Sequence, residues 1–246
     1  LKAVILIAGE GSRLKPLTDY IPKCCMPIAG VPLLHIWIKK LLEAGVGEIL
    51  LNPCGVTQEV MESIFSLKLH INPIHIVPER KPLGTAGTLW KNREWLQDDD
   101  FIVIYGDVLT NLSLEKLISV HGHCWDGLMT AATYRTDRPK QKGILEMICH
   151  SHSYHVDAQG WAVSFHEKPE NPESELAFAG IAIAKPELLS HITKKDFDLT
   201  GDVLTRIVND VDERIWVYYD PKWYFKDIGT IPDYLACQSE WRQLDG

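Results

Sequence analysis

No apolar run in the sequence approaches the roughly 18 residues that a membrane-crossing helix needs. The opening stretch Lys2-Ala-Val-Ile-Leu-Ile-Ala8 is broken at once by Gly9, too short and too abruptly for a secretory leader. No membrane partner is expected. Basic excess is lacking too: 25 Lys and Arg stand against 33 Asp and Glu, a net charge of −8. That argues against a nucleic-acid partner, which demands a basic footprint, but not against a small anionic substrate, because local charge decides that. The six cysteines form no Cys-x-x-Cys, and adjacent Cys24-Cys25 match no familiar zinc or disulfide spacing. They read as free thiols of a reducing cytoplasm. Also missing are a Gly-Lys-Ser/Thr phosphate loop and any evident Ser/His/Asp or Cys/His arrangement.

What remains is an ordinary globular composition, 46% hydrophobic and 24% charged, enough for one large α/β domain or two small ones. No internal repeat interrupts it. The first half alternates strand-like segments at Ala3–Ala8, Ile49–Asn52, Ile74–Val77 and Phe101–Tyr105 with helical ones at Pro32–Ala44, Thr57–Leu67, Ala86–Leu96 and Ser113–Gly122. Gly45 suits a helix C′ position, and Thr57 and Ser113 suit N-caps. Such alternation predicts a mostly parallel sheet with helices on both faces. After Gly127 the rhythm changes to strands at Leu128–Tyr134, Gly143–Ile148, Tyr154–Val156, Val163–Glu167 and Ala177–Ala184. Turns such as Asp157-Ala-Gln-Gly160 suggest antiparallel hairpins. Helices return at Asp202–Asn209 and Ile231–Trp241, with strands at Arg214–Tyr219 and Trp223–Lys226 between them.

With no linker in sight, the expectation is a single domain over 1–246. Residues 1–125 form a nucleotide-binding half and 126–246 a mixed-sheet half for a second substrate. Ligands of open α/β sheets collect at the carboxyl ends of strands, which directs attention to the residues after Ala8, Val77, Tyr105 and Lys226.

The first of these places reads Ala8-Gly-Glu-Gly-Ser-Arg13. A dinucleotide fingerprint would need a third glycine where Leu14 stands, and an acid at the second strand's end, where Asn52-Pro53 stands. Glycines let a ligand approach the backbone. Arg13, Lys15 and Lys23 add three cations in eleven residues, stiffened by Pro16 and Pro22. The sharp reading is a polyphosphate site; the bland one is a solvated basic loop.

The longer run from Ala8 to Thr18, followed by Pro22-Lys23, resembles the signature of the sugar-1-phosphate nucleotidylyltransferases. Other segments are similar to this family in the right order: Leu83-Gly-Thr-Ala-Gly87, Tyr105-Gly-Asp107, Phe165-His-Glu-Lys-Pro169 with Ala179-Gly180, and Lys226-Asp-Ile-Gly-Thr230. The nearest motifs are those of mannose-1-phosphate guanylyltransferase-like members. The resemblance implies a Rossmann-like α/β fold of the nucleotide-diphospho-sugar transferase type, with an inserted antiparallel sugar-binding part. It also implies a reaction that joins a nucleoside triphosphate to a sugar 1-phosphate and releases pyrophosphate, with Mg²⁺ as cofactor.

By the same resemblance, Arg13 holds the β/γ-phosphates, Lys23 the α-phosphate and Lys168 the sugar phosphate. Asp107 and Asp227 hold the metal. The nucleotide is held by Ala8, Gly9, Gly11, Ser12, Gly84 and Thr85, and the sugar by Gly143, Glu167, Lys168 and Gly180. Each aspartate alone could be a helix N-cap or a loop ion pair, and Gly143 a simple turn. The His150, His152 and His155 run reads as an exposed hairpin rather than a zinc site, and Trp90 and Trp95 as packing rather than a stacking platform.

Two departures stand out. Cys24-Cys25 follow Lys23 where the family has proline, and Phe178 stands where asparagine is frequent. The chain stops soon after its last helix, so a C-terminal β-helix is not expected. The Leu-Gly-Thr-Ala-Gly form resembles members using GTP or ATP, which favours GTP with mannose 1-phosphate or a related manno-sugar. The same reaction with ATP, dTTP, UTP or CTP, and a catalytically silent nucleotide-sugar-binding regulator, are the alternatives. Homo-oligomerisation is left open.

Overall fold

The computed structural model describes residues 1–54, 58–66, 74–123, 126–149, 158–209 and 214–244. In chain order the regular elements are β1 (Lys2–Leu6), β2 (Pro27–Ile28), β3 (Val31–Pro32), α1 (Leu33–Glu43), β4 (Glu48–Leu51), α2 (Gln58–Ser66), β5 (Ile74–Ile76), α3 (Gly84–Lys91), α4 (Arg93–Leu96), β6 (Phe101–Tyr105), β7 (Val108–Thr110) and α5 (Leu114–Gly122). They continue as β8 (Met129–Arg135), β9 (Gly143–Cys149), β10 (Ala158–Glu167), β11 (Leu176–Ala184), α6 (Thr205–Asn209), β12 (Ile215–Tyr219), β13 (Phe225–Asp227) and α7 (Ile231–Leu244). This is the expected α/β fold with a mixed sheet and helices. It divides into two compact units, each discontinuous in sequence. One is Leu1–Pro82 with Ile104–Leu112 and Tyr224–Gly246; the other is Leu83–Val103 with Ser113–Trp223.

In the first unit β5, β4 and β1 lie side by side and parallel, with Val4 opposite Leu50 and Leu50 opposite His75. Ala3, Val4, Ile5, Ile49, Leu50 and Leu51 are all buried. Continuous burial of this kind marks parallel strands covered on both faces. α1 buries Leu33, Leu34, Trp37, Ile38 and Leu41, the 3–4 spacing of one helical stripe. Each such side chain contributes about 1.5–3 kcal/mol by leaving water. The indole of Trp37 donates to the Val108 carbonyl at 2.7 Å, so its burial leaves no orphan donor. Gly45, at φ 80°, ends the helix as expected. β7 and β13 form an antiparallel ladder with Val108 opposite Asp227.

In the second unit the strand order is β11-β8-β12-β10-β9. β8 and β12 are parallel, and the other neighbours are antiparallel. α5 starts at Ser113, whose hydroxyl accepts the Lys116 N–H, the predicted N-cap. Every residue of β11 is buried. Its register against β8 shifts between Phe178 and Ala182, and Gly180, at φ 68°, sits in that irregularity. Only glycine adopts such a backbone without strain.

Several element boundaries differ from expectation. The Ala86–Leu96 helix starts at Gly84 and is divided at Asn92 into α3 and α4. Ala158–Gly160, read as part of a turn, are strand residues paired with Val217, Tyr218 and Tyr219. The segment read as Asp202–Asn209 begins at Leu199, as a wider π-type turn that leads into α6. Asp198 caps it, accepting the N–H groups of Thr200 and Gly201. The short pairs β2–β3 and β7–β13 were too brief for periodicity to reveal in full. The Thr57 cap, the Tyr154–Val156 strand and the histidines at 150, 152 and 155 lie outside the described residues. Cys24, Cys25 and Cys237 are buried free thiols, and Cys54 is half-buried and free. No helix among the described residues is long and apolar enough to cross a membrane.

Candidate functional site

In the first unit, the chain leaving β1 is fixed by a buried amide. Asn52, at the carboxyl end of β4, is 2% exposed. Its Oδ1 accepts the Ile7 N–H at 2.8 Å, and its Nδ2 donates to Glu79 Oε1 at 3.0 Å. Where a dinucleotide fold would hold a ribose-binding acid, this chain holds an anchor for its own loop. Sequence reasoning used Asn52 only to exclude that fold, and the signal available was a polar residue closing an otherwise apolar strand. Beyond the anchor, Gly11 takes φ 63° and begins a short helical turn over Ser12–Leu14. A Cβ on Gly11 would lie 2.8 Å from the Thr18 methyl, while the Thr18 hydroxyl donates to the Gly11 carbonyl. Leu14 is buried, so it pins the turn and leaves Ser12 and Arg13 exposed. Lys15 pairs with Asp19 at 3.1 Å on the surface. A 320 Å³ pocket opens beside this loop, lined by Gly9, Glu10, Lys23, Cys54 and Glu59 among others.

The turn after β6 is set against the same strand. The Gly106 N–H donates to the Leu6 carbonyl at 2.9 Å. A Cβ on Gly106 would lie 2.5 Å from Ile7 Cγ2, so no larger residue fits there. Asp107 follows, and its carboxylate pairs with the Lys23 amine. The lysine side chain is 13% exposed and the aspartate 33%, so the pair is half-buried. The Asp107 carbonyl accepts the Ile228 N–H at 2.9 Å, next to the Val108–Asp227 rung of β7–β13. The Arg13 Nη2 and the Asp227 Oδ1 lie 3.5 and 3.8 Å from the point where a side chain on Gly229 would begin. Arg13, Lys23, Asp107 and Asp227 are thus brought together from four segments.

β13 is tied down from α7. The Lys226 amine contacts both Glu240 oxygens at 2.8 and 2.9 Å, and the Tyr224 hydroxyl donates to Glu240 at 2.9 Å. Lys226 holds the Glu240 carboxyl below its ordinary range, and burial pushes the Tyr224 phenol far above its own. Among the described residues no cluster of three or more His, Cys, Asp or Glu could hold a metal. Two carboxylates without a third donor suit a hard divalent cation that completes its shell with water and phosphate oxygens.

The second unit carries the remaining residues. Gly84, at φ 77°, would place a Cβ 2.0 Å from the Phe197 carbonyl oxygen. Ala86 donates its N–H to that oxygen, and Thr85 Oγ1 accepts the Leu199 N–H at 2.6 Å. The Leu83–Gly87 loop is therefore docked on the 197–199 backbone, a partner that no motif announced. Gly143 lies opposite Glu167 in the β9–β10 ladder. A Cβ there would lie 2.8 Å from Glu167 Oε2 and 2.9 Å from the Phe165 ring. Its bareness is a cradle for the carboxylate rather than a turn. Lys168 takes φ 49°, donates its N–H to the Lys142 carbonyl, and pairs its amine with Glu167 at 3.1 Å. A non-glycine residue in this region is uncommon and clusters at functional sites. Phe178 is buried opposite Thr133. Trp90 packs under the Arg93 guanidinium, which lies 4.4 Å from its ring centroid.

Comparison with known proteins supplies the context for this geometry. The sequence profile of the family described as nucleotidyl transferase matches residues 2–243. A UTP–glucose-1-phosphate uridylyltransferase of Synechocystis sp. is 30% identical over 263 residues, covering 100% of this chain and 63% of the relative. A mannose-1-phosphate guanylyltransferase of Mycobacterium tuberculosis is 28% identical over 240 residues, covering 97% of this chain and 64% of the relative. The chain thus spans just under two thirds of the length of these curated relatives. The crystal structure of HddC from Yersinia pseudotuberculosis, complexed with GMP-PN, shares the fold. Its TM-score is 0.73 at 24% identity, with 98% of this chain and 99% of that one covered.

Proposed function

The chain belongs to the nucleotidyl transferase family, and from that premise we propose that it transfers a nucleotidyl group from a nucleoside triphosphate to a sugar 1-phosphate. The products are a nucleotide sugar and pyrophosphate. The observation that carries this reading is the gathering of two cations and two carboxylates, Arg13, Lys23, Asp107 and Asp227, beside the glycine loop after β1. GTP with mannose 1-phosphate, or a related manno-sugar, is the proposed pair. It is supported by the Leu83–Gly87 form and by guanylyltransferases among the relatives.

A sugar phosphate oxygen attacks the α-phosphorus in line and pyrophosphate departs. The second pKa of a phosphate monoester is near 6, so the nucleophile is already ionised and needs no base. The obstacle is repulsion. Two unit charges about 4 Å apart at an effective dielectric of about 20 repel by roughly 4 kcal/mol. Preformed cations offset this in the transition state. Arg13, whose planar fork suits bidentate contact, holds the β/γ-phosphates, and Lys23 holds the α-phosphate. Lys168 holds the sugar phosphate, and Glu167 accepts from sugar hydroxyls. Ala8, Gly9, Gly11, Ser12, Gly84 and Thr85 contact the nucleotide, and Gly143 and Gly180 flank the sugar. Asp107 and Asp227 would hold Mg²⁺, which when bound neutralises triphosphate charge.

The test is incubation with a panel of triphosphates, Mg²⁺ and hexose 1-phosphates, read by pyrophosphate release. Asp107→Asn should lower turnover by at least about a hundredfold on the active pair. Wild-type turnover in that variant would remove Asp107 from the reaction. Silence across the panel, with nucleotide sugars still bound, would favour the regulator instead.

A further inference from the structure

Arg13, Lys23, Asp107 and Asp227 are arranged in the first unit as two neighbourhoods, each with one cation and one carboxylate. Lys23 is already committed to Asp107: its side chain is mostly buried, and the carboxylate it holds is one of the two proposed metal ligands. Arg13 stands beside Asp227, both within 4 Å of one point above Gly229. A divalent cation arriving alone meets carboxylates whose charge is locally balanced. A metal-free triphosphate meets cations in the same condition. Only the two together let every group exchange its present partner for a ligand of opposite sign: phosphates for Arg13 and Lys23, the metal for Asp107 and Asp227.

Resting on the proposed nucleotidyl transfer, we infer that Lys23 acts as a gate on metal binding. While its amine is paired with Asp107 it suppresses capture of a divalent cation at that carboxylate. Transfer of its amine to a triphosphate oxygen releases the carboxylate. Triphosphate and metal therefore bind with positive coupling, and by linkage each raises the affinity for the other by the same factor. The exchange breaks no covalent bond and moves no proton; it swaps one ion pair for two new contacts. The Lys23–Asp107 pair spans 84 residues of sequence, and the Gly106 N–H bond to the Leu6 carbonyl holds the carboxylate in reach.

The test uses Mn²⁺ without nucleotide, followed by the electron paramagnetic resonance signal of the free aqueous ion. Lys23→Met should bind Mn²⁺ at least about fivefold more tightly than the wild type, the scale of a half-buried ion pair. Lys23→Arg, which keeps the charge, should bind like the wild type, and Lys23→Met with Asp107→Asn should lose the gain. Reciprocally, Asp107→Asn should bind metal-free GTP or ATP, in chelator, at least about fivefold more tightly than the wild type. If Lys23→Met keeps the native unfolding midpoint yet binds Mn²⁺ no better, the gate is refuted. Should that variant not fold, the chelator experiment on Asp107→Asn decides. Failure of the parent reading looks different: no triphosphate binds the wild type at all, while the nucleotide-free Mn²⁺ comparison is unaffected.

Discussion

Replacing Asn52 by alanine tests whether the loop after β1 is held by one buried amide. The amide accepts the Ile7 N–H at 2.8 Å and donates to the Glu79 carboxylate at 3.0 Å. Asn52 and Glu79 are 2% and 3% exposed, so water cannot easily replace the lost donor to Glu79. A hydrogen bond to a charged group contributes about 1.5–3 kcal/mol, and the half-buried Ile7 N–H about 1 kcal/mol. The expected loss is about 2–4 kcal/mol. For a chain of this size that lowers Tm by about 5–15 °C, measurable by calorimetry with the urea midpoint as a check. If the chain carries out the proposed transfer, its activity should fall in a particular way: the triphosphate KM should rise more than the sugar phosphate KM, because Ile7 leads directly into Gly9 and Gly11. Asn52→Asp should be no rescue, because it sets a second carboxylate against Glu79. A loss below about 0.5 kcal/mol with both KM values unchanged would refute the anchor.

Gly84→Ala should destabilise by at least about 3 kcal/mol or prevent soluble expression, because its Cβ would lie 2.0 Å from the Phe197 oxygen in a region of backbone that suits only glycine; a native unfolding midpoint would contradict this. His121 gives a pH prediction. Burial lowers its pKa below the ordinary value, with Asp100 opposing in part. The unfolded chain therefore takes up a proton at a pH where the folded chain resists it. That contribution is fully present above the unfolded pKa of about 6.5 and is lost as pH falls from there through the lower folded-state pKa. Urea midpoints at pH 7.5 and 5.5 should differ more for the wild type than for His121→Gln, and equal differences would remove His121 as the cause.

Much of the fold was legible because periodicity is a local property. The apolar runs at Ala3–Ile5 and Ile49–Leu51 read as buried strands from their shortness and the glycine, proline and polar residues around them, and the 3–4 spacing in α1 as a helix. Less visible was whatever depended on a partner distant in sequence. Ala158–Gly160 carry a turn-like composition, yet they pair with β12 nearly 60 residues later. Three-residue strands such as β7 and β13 are too short to show a period, and they exist because each completes the other.

The site follows the same division. Arg13, Lys23, Asp107, Gly143, Lys168 and Asp227 could be singled out by type and motif, but motif carries no distances. Gly106 shows the difference. In sequence it is the middle of Tyr-Gly-Asp; in the fold it is bare because Ile7 occupies the space a side chain would need. The same contact sets Asp107 beside the strand that leads into the glycine loop. Gly143 likewise gives its space to the Glu167 carboxylate. In each case the glycine adds no chemical group; it permits a charged neighbour to be fixed in place. Preorganised charge is worth more than mobile charge because nothing reorganises when the substrate arrives. A methyl group at either position should therefore act on turnover through the displacement of Asp107 or Glu167, with no polar atom removed.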